Sequence, residues 1–280
     1  MKKQLSKKIG MLLLSGVAAI MATSCIFMPE NEEEEIIKKA ELTCIWQDEF
    51  DYEGKPDTSK WKYQTGAGGW GNNELQTYTD NSSTADTAIV HDGVLTIKAY
   101  NNGSGWKSAR MNSKASWKYG YIEARMKVTD KFGAWPAFWM MPQNSVYGDW
   151  PNSGEIDIME NAPGMGNGSA FHKVFSTLHA KGHYAGNGKG IGTKIFGDNL
   201  ANEWHTFGVL WTEDKITAYY DDVAVGSYTN NGGGNVDWPY DQDFYIIMNL
   251  AIGGDLGNTS MVGQLNGEAK FEIDYVRVYK

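Results

Sequence analysis

The apolar residues of this chain fall into short strand-like runs that are separated by turn residues. The clearest runs span residues 88–100, interrupted by a predicted hairpin turn at residues 91–93, and residues 215–228, interrupted at residues 221–222. No amphipathic stretch is long enough to predict a helix. Spacing of this kind predicts an all-β fold, either a sandwich or a barrel. Further strands are predicted at residues 119–128, 154–160, 204–211, 244–252 and 269–279.

Composition agrees with many strands joined by tight turns. The chain has 280 residues, among them 33 Gly, 11 Trp and 15 Tyr, whereas glycine usually makes up only about 7% of a protein. All-β domains of about 200–250 residues commonly fold as one unit. We therefore expect one domain over residues 43–280.

The first 24 residues are typical of a secretion signal. Four lysines precede an apolar stretch over residues 9–22, which matches a signal h-region of about 7–15 residues better than a membrane-spanning helix of about 20. Cys25 follows Ala-Thr-Ser, and this sequence resembles the lipobox of bacterial lipoproteins, in which the cysteine is acylated after cleavage. The alternative is an ordinary signal followed by a chance cysteine.

Residues 25–42 are predicted to form a flexible, acidic tether. Residues 30–35 contain five glutamates, and such a run of like charges stays in solvent. It resembles the acidic export tags of some outer-membrane lipoproteins. If Cys25 carries lipid, Cys44 has no partner, and the domain folds without a disulfide. These features predict an exported outer-membrane lipoprotein that is exposed at the cell surface.

The charge narrows the range of partners. Removing residues 1–24 lowers the formal charge from −9 to −13, because this segment holds four lysines and no acidic residue. An acidic surface repels nucleic-acid phosphates and anionic headgroups, whereas a neutral polymer such as a glucan is indifferent to it. We therefore exclude nucleic acid as a partner.

Glu155, Asp157 and Glu160 lie within one apolar strand, where carboxylates are normally avoided. Because side chains alternate along a strand, Glu155 and Asp157 share one face, while the isoleucines that follow them point into the other layer. At an offset of five residues Glu160 would face the core, where an isolated charge is very costly. One extra residue, for example Met159, would form a β-bulge that returns Glu160 to the carboxylate face. We predict that bulge.

With the bulge, Glu155 and Glu160 act as residues four apart, with roughly 13 Å between their Cα atoms. Their side chains can then approach the carboxyl separation of about 5–5.5 Å that retaining glycoside hydrolysis requires. Crowded like charges raise one partner's pKa, which would keep Glu160 protonated, while Asp157 can share a proton with the nucleophile. The alternative is the solvated face of an edge strand, for which alternating acidic residues would be ordinary.

Aromatic residues flank this segment and weaken that alternative. Trp135, Phe138, Trp139 and Trp150 precede the carboxylates, and aromatic rings on a sheet can bind the apolar faces of sugar rings. We expect Phe138 in the core and the three tryptophans as candidates for a cleft.

The segment at residues 155–160 resembles the bulged Glu-x-Asp-x-x-Glu signature of glycoside hydrolase family 16, and the chain looks like the laminarinase-type endo-β-1,3(4)-glucanases of that family. The resemblance covers nearly all of residues 45–280. It includes residues 69–76, 113–114, 118–125, 135–142, 247–254 and 274–279.

The resemblance implies a β-jelly-roll sandwich of two antiparallel sheets with an open concave cleft, which suits cleavage of a β-glucan within the chain. It implies Glu155 as nucleophile, Asp157 as its helper and Glu160 as acid/base, without an organic cofactor. We expect a monomer. Implied sugar contacts are Asn73, Arg110, Trp135, Trp139 and His179, and Trp150 is a further candidate on its position.

His179 and His183 are four residues apart, a spacing that can bind metal on a helix, but Gly182 lies between them and no glutamate adjoins them. We interpret His179 as a hydrogen-bonding group of the cleft, with a structural histidine as the alternative.

Members of the family often hold a structural calcium away from the cleft. By resemblance its ligands would be Glu49, the Gly93 carbonyl and Asp274, oxygen donors that suit a hard cation. Plain surface acidity is the alternative.

One position departs from the family pattern. Many laminarinases carry a tryptophan after the Gly-Gly of the late strand, whereas Asp255 follows Gly253 and Gly254 here. Without this stacking surface, two substrates stay open: β-1,3-glucan and mixed-linkage β-1,3-1,4-glucan.

Two other functions stay open beside hydrolysis. A transglycosylase would share the same glycosyl-enzyme intermediate, with a sugar in place of water as acceptor. A carbohydrate-binding protein on the same fold would need only the tryptophans, and the presence of both Glu155 and Glu160 argues against it.

Overall fold

The computed structural model describes residues 35–80, 86–129, 131–161, 173–196, 200–201 and 203–280. Within these residues seventeen strands form two sheets, and the pairs are antiparallel except for one short parallel pair between β3 and β6. The ten-stranded sheet contains β1 (Cys44–Asp48), β3 (Thr77–Tyr78), β4 (Ala88–His91), β5 (Val94–Asn101), β6 (Trp106–Ser108), β8 (Gly120–Lys127), β13 (His205–Trp211), β14 (Lys215–Tyr220), β15 (Val223–Thr229) and β17 (Glu268–Tyr279). The seven-stranded sheet contains β2 (Trp61–Tyr63), β7 (Arg110–Ser113), β9 (Ala134–Pro142), β10 (Glu155–Asn161), β11 (Lys173–His179), β12 (Lys189–Ile195) and β16 (Phe244–Ile252).

Helical structure is confined to short segments in the described residues. They are one α-helical turn, α1 (Gly254–Gly257), and 3-10 turns at Lys39–Glu41, Gly69–Gly71, Ala185–Asn187, Gly234–Val236 and Thr259–Leu265. The all-β jelly-roll sandwich predicted from the sequence is confirmed.

Apolar side chains from both sheets form the core. On β5, Leu95, Ile97 and Ala99 are fully buried, while the residues between them are partly exposed, as the alternation of a strand requires. β10 departs from this pattern, because six of its seven residues are buried. One of its faces is covered by the core, and the other by the side chains of the candidate site.

Both predicted hairpin turns are confirmed. Asp92 and Gly93 join β4 to β5 with φ angles of 52° and 75°, and Asp221 and Asp222 join β14 to β15 with φ angles of 51° and 68°. Positive φ at both positions is the conformation of a type I′ turn, whose twist matches that of the strands, and aspartate tolerates it better than most residues.

β10 lies inside the seven-stranded sheet, whose order is β12-β11-β10-β9-β16-β7-β2. Two strands lie on one side of β10 and four on the other. Its carboxylates therefore belong to the middle of a broad sheet, and the predicted alternative of an edge strand is wrong.

The predicted tether is too long at its carboxyl end. Ile37 N–H donates to the Asp222 carbonyl at 3.0 Å, and the Glu35 carbonyl accepts from Ala224 N–H at 2.9 Å. The Lys39 ammonium lies 2.6 Å from Glu123 Oε2, a carboxylate that is fully buried. A buried charge needs a partner, and Lys39 is the partner of Glu123. Residues 35–42 are thus part of the domain.

The predicted signal over residues 1–24, Cys25 and the start of the tether lie outside the described residues. Across the part of the chain that the structure describes, no helix has the length and apolar character needed to cross a membrane.

Candidate active site

The carboxylate strand contains the predicted bulge. Asp157 and Met159 pair with consecutive residues of β9, so Ile158 has no partner there. The pairing with β11 shifts in the same place, between Asp157 and Glu160. Ile158 and Met159 are both fully buried. The bulge is therefore confirmed, with Ile158 as the residue that β9 skips, where the sequence had suggested Met159.

The three carboxylates line a pocket on the face of the sheet that points away from the core. Its lining comes from β7, β9, β10, β16 and the segment before β3. These residues are Asn72, Glu74, Arg110, Trp135, Ala137, Trp139, Glu155, Asp157, Glu160 and Asn249.

Glu155 is held by neighbours on two sides. Trp150 Nε1 donates a 2.7 Å hydrogen bond to its Oε2. One carboxylate oxygen of Glu155, one of Asp157 and one ring nitrogen of His179 all lie within 4.8 Å of one another. Burial and the adjacent Asp157 raise the pKa of Glu155 well above its ordinary value, whereas His179 and the Trp150 hydrogen bond lower it. The ionised form of Glu155 thus depends on these two partners.

Asp157 is 2% exposed. His179 Nε2 lies 3.0 Å from Asp157 Oδ2, although this oxygen makes no well-directed hydrogen bond within the described residues. Burial and the charge of Glu160 raise the pKa of Asp157 well above its ordinary value, and its contact with Glu155 lowers it. The pKa values of Glu155 and Asp157 are thus both raised, and the adjacent pair is suited to share one proton.

Glu160 has a separate environment. Trp135 Nε1 donates a 3.0 Å hydrogen bond to Glu160 Oε1. Burial and the charge of Glu155 raise the pKa of Glu160 to about 7, and the Trp135 hydrogen bond opposes the increase. A carboxyl group in this range can donate a proton near neutral pH and accept one back.

Arg110 forms one wall of the pocket, between two indoles. Its Cζ lies 4.8 Å from the Trp70 ring centroid and 4.7 Å from that of Trp139, and its Nε donates to Gln64. Trp70 adopts φ 51°, which is rare for a bulky residue and costs on the order of 1–3 kcal/mol. The stack fixes the guanidinium as a planar donor facing the cleft.

A hydrogen-bond chain supports this wall from below. Trp139 Nε1 donates to Asn249 Oδ1 at 2.7 Å, Asn249 Nδ2 donates to Tyr78 Oη at 3.0 Å, and Tyr78 Oη donates to Glu74 Oε2 at 3.0 Å. Glu74 also accepts from Gln76. The chain leaves little freedom to the Trp139 ring.

The candidate sugar contacts are only partly brought together. Arg110, Trp135 and Trp139 line the pocket, while Trp150 and His179 lie beside it through Glu155 and Asp157. Asn73 is the exception. Its side chain donates a 2.9 Å hydrogen bond to Asp255, and the neighbouring Asn72 lines the pocket instead. Phe138 is fully buried in the core, as predicted.

Sequence reasoning missed Trp70, Glu74 and Asn249. All three lie in segments that resemble the family, but nothing in those segments distinguishes a pocket residue from a structural one. The left-handed backbone of Trp70 and the chain of hydrogen bonds through the Asn249 side chain depend on contacts between distant segments.

The two carboxylates among the predicted calcium ligands, those of Glu49 and Asp274, already have partners. Glu49 accepts two 2.7 Å hydrogen bonds from Arg277, and Asp274 accepts one of 2.7 Å from Arg125. Guanidinium groups compete with a cation for these oxygens. In this arrangement the side chains do not fit a bound cation, and calcium stays a prediction that a chelator titration would test.

The geometry agrees with comparisons to known proteins. Residues 72–277 match the model of glycosyl hydrolases family 16. A beta-glucanase from Rhodothermus marinus is 38% identical over 84% of each chain. The X-ray structure of the laminarinase from Rhodothermus marinus superposes with a TM-score of 0.77 at 37% identity, over 85% of this chain and 97% of that one. The crystal structure of SCLam, a non-specific endo-beta-1,3(4)-glucanase, also has a TM-score of 0.77, at 32% identity over 88% of this chain and 94% of that one.

Proposed function

The chain belongs to glycoside hydrolase family 16, and we propose that it is a retaining endo-β-glucanase that hydrolyses β-1,3-glucan, mixed-linkage β-1,3-1,4-glucan or both. One observation carries the proposal. The bulge brings Glu160 to the same face as Glu155, and each glutamate has its own indole donor. A pair of carboxyl groups in different environments is the arrangement that double displacement needs.

In the first step Glu155 attacks the anomeric carbon, while Glu160 gives its proton to the glycosidic oxygen of the departing sugar. The C–O bond of the glycosidic link breaks as the bond to Glu155 forms. In the second step Glu160 takes a proton from water, and the resulting hydroxide displaces Glu155. Asp157 shares a proton with the adjacent Glu155, so the three carboxyl groups of this buried strand are never all ionised at the same time.

The roles of the three carboxylates follow from their partners. Burial and Asp157 raise the pKa of Glu155 well above its ordinary value, while His179 and the Trp150 hydrogen bond oppose that increase and so support the ionised form that a nucleophile requires. A pKa of about 7 leaves Glu160 largely protonated below neutrality, as a general acid requires. Arg110, Trp135, Trp139 and Asn72 are proposed to bind sugar hydroxyls and ring faces.

The test is reducing-sugar release from laminarin, mixed-linkage barley glucan, xyloglucan and agarose, with Glu155→Gln in parallel. We expect cleavage of laminarin or barley glucan and a loss of about 10⁴-fold or more in the variant. The rate ratio between the two substrates gives the linkage preference. If all four polymers stay intact while laminarin still binds, the protein is a glucan-binding protein on this fold.

Export is the second part of the proposal. The lysine-rich start, the apolar stretch over residues 9–22 and Cys25 support a surface-exposed outer-membrane lipoprotein. Cells fed a labelled fatty acid should label the wild-type chain and leave Cys25→Ser unlabelled, while Cys44→Ser stays labelled. Label on Cys25→Ser, or none on the wild type, would show that no lipid is attached at Cys25.

A further inference from the structure

The pocket lies on only one of the two sides of β10. The pocket that contains both Glu155 and Glu160 extends toward β9, β16 and β7. The sugar whose anomeric carbon is attacked must contact both glutamates, so it lies in that pocket. The departing part of the glucan therefore lies on the opposite side, over β11 and the loop that follows it.

Two exposed aromatic side chains lie on that opposite side. Trp150 and Tyr184 are each 45% exposed, and their ring centroids are 5.6 Å apart at an interplanar angle of 85°. Trp150 also donates its indole N–H to Glu155 and lies 6.2 Å from the His179 ring. In the part of the chain that the structure describes, these are the aromatic members of the exposed large apolar residues.

The loop that carries Tyr184 is fixed by backbone hydrogen bonds. Ala180 and His183 exchange bonds of 2.8 and 2.9 Å, and Gly182 N–H donates to the Val236 carbonyl at 2.7 Å. Gly188 then packs so closely on His179 that a Cβ would come within 2.7 Å of its Cε1. Tyr184 is therefore held in place beside the carboxylates, which lowers the entropy lost when a ligand binds.

Exposure of two adjacent rings needs a reason, because apolar side chains of this size normally gain by burial. The perpendicular rings form a corner with one apolar face on each ring. The Tyr184 hydroxyl makes no hydrogen bond within the described residues, which leaves it available to a ligand. An apolar corner with a polar group at its edge matches a pyranose ring, which has apolar faces and hydroxyl groups around its rim.

We propose that Tyr184, together with Trp150, forms a sugar-binding subsite on the leaving-group side of the scissile bond. The subsite rests on the proposed glucanase function, and it specifies which part of the substrate the loop binds. It holds the departing sugar while Glu160 protonates the glycosidic oxygen. The residue that determines this subsite is Tyr184, since Trp150 also contacts the nucleophile.

The test compares two substrates that share the sugars on the attacked side. Laminaripentaose places sugars on both sides of the scissile bond, whereas β-laminaribiosyl fluoride has a leaving group too small to reach Tyr184. Tyr184→Ala should lower kcat/KM for laminaripentaose about threefold to tenfold, the range expected for one lost aromatic contact. Turnover of the fluoride should stay at the wild-type value.

Further variants separate the ring from the fold. Tyr184→Phe keeps the ring and should retain most of the activity on laminaripentaose, whereas Tyr184→Leu keeps apolar bulk and should behave like Tyr184→Ala. Tyr100→Ala removes a partly exposed ring from the ten-stranded sheet and should change neither rate. If the alanine variant does not fold, the leucine variant decides.

Two results would overturn the subsite. One is an active wild type whose Tyr184 variants cleave laminaripentaose at the normal rate. The other is an equal loss on both substrates, which would place the ring on the attacked side. A wild-type protein that cleaves neither substrate and also leaves mixed-linkage barley glucan intact would instead overturn the glucanase function, and the subsite with it. If the wild type cleaves only barley glucan, a mixed-linkage β-1,3-1,4-pentasaccharide replaces laminaripentaose in the same comparison.

Discussion

The indole N–H of Trp135 donates a 3.0 Å hydrogen bond to Oε1 of Glu160, from β9 to the neighbouring β10. This bond favours the ionised form of Glu160, while burial and the charge of Glu155 favour the protonated form and raise the pKa to about 7. The balance leaves a proton on Glu160 at pH values where an ordinary glutamate has lost it. The neighbour on β9 thus tunes the group that protonates the leaving sugar.

The pH profile tests this balance. For the wild type, kcat/KM should fall as pH rises through about 7, because Glu160 then loses the proton that it must donate. Trp135→Phe removes the donor, so the Glu160 pKa should rise and the basic limb should move to higher pH. The variant should lose about threefold to tenfold in rate, far less than the 10²–10⁴-fold worth of a general acid. A limb that stays in place or moves to lower pH would contradict this account.

Removing the acid should stabilise the fold at alkaline pH. The folded protein holds a proton on Glu160 that the unfolded chain releases, so stability is lost as pH rises from the ordinary value of 4.5 to about 7. Glu160→Gln removes that loss. We expect its Tm to exceed that of the wild type at pH 8, by about 2–4 °C for each kcal/mol recovered, and to match it at pH 4.

The control for this measurement is Glu213→Gln, which changes an exposed glutamate and should leave Tm unchanged at both pH values. Equal Tm values for Glu160→Gln and the wild type at pH 8 would show that Glu160 is ionised in the fold without cost.

The stacked arginine should matter for binding more than for chemistry. Arg110→Lys keeps the charge and loses the planar group between Trp70 and Trp139. We expect KM for laminarin to rise about tenfold with a smaller change in kcat. Arg125→Lys is the matched control, since Arg125 stacks on Trp204 at 5.4 Å on the other sheet. A loss in kcat alone would place Arg110 in the chemical step.

The segment before β1 should contribute to stability. Lys39→Met leaves the buried Glu123 without its cation, and we expect a loss of about 3 kcal/mol, the low end for a buried pair, because the Lys39 side chain is 26% exposed. A chain that starts at residue 43 should lose at least as much as one with Lys39→Met. Denaturant unfolding measures both.

Lys38→Met is the control for this pair. Its side chain is 78% exposed and lies 3.9 Å from Glu41, so it should contribute almost nothing. Combining Lys39→Met with Glu123→Gln should recover part of the lost stability. If Lys39→Met and Lys38→Met unfold alike, the Lys39–Glu123 pair does not stabilise the domain.

The parts of the site that could be read from the sequence are local. The offset of five between Glu155 and Glu160 predicts the bulge, because only an extra residue spares Glu160 from the core. Asp221 and Asp222 mark a hairpin because they tolerate positive φ. In both cases the deciding physics acts between residues a few positions apart.

The parts that could not be read depend on distant segments. Asn72 and Asn73 are adjacent and chemically identical, and only the contact of Asn73 with Asp255 removes it from the pocket. Tyr184 lies in a glycine-rich loop that predicts only a turn, and its neighbour Trp150 comes from another loop. The partner of Glu123 is Lys39, which the sequence places in a tether.

The most direct test of the account is azide rescue of Glu155→Ala and Glu160→Ala with an activated β-laminaribioside, followed by NMR of the glycosyl azide. Glu155→Ala leaves a cavity in place of the nucleophile. Azide that enters this cavity attacks the anomeric carbon of the bound substrate directly, with inversion, so the variant should give the α-azide. Glu160→Ala still forms the glycosyl-enzyme, so azide should displace Glu155 and give the β-azide. The reverse assignment, an α-azide from Glu160→Ala and a β-azide from Glu155→Ala, would contradict the roles given to the two glutamates.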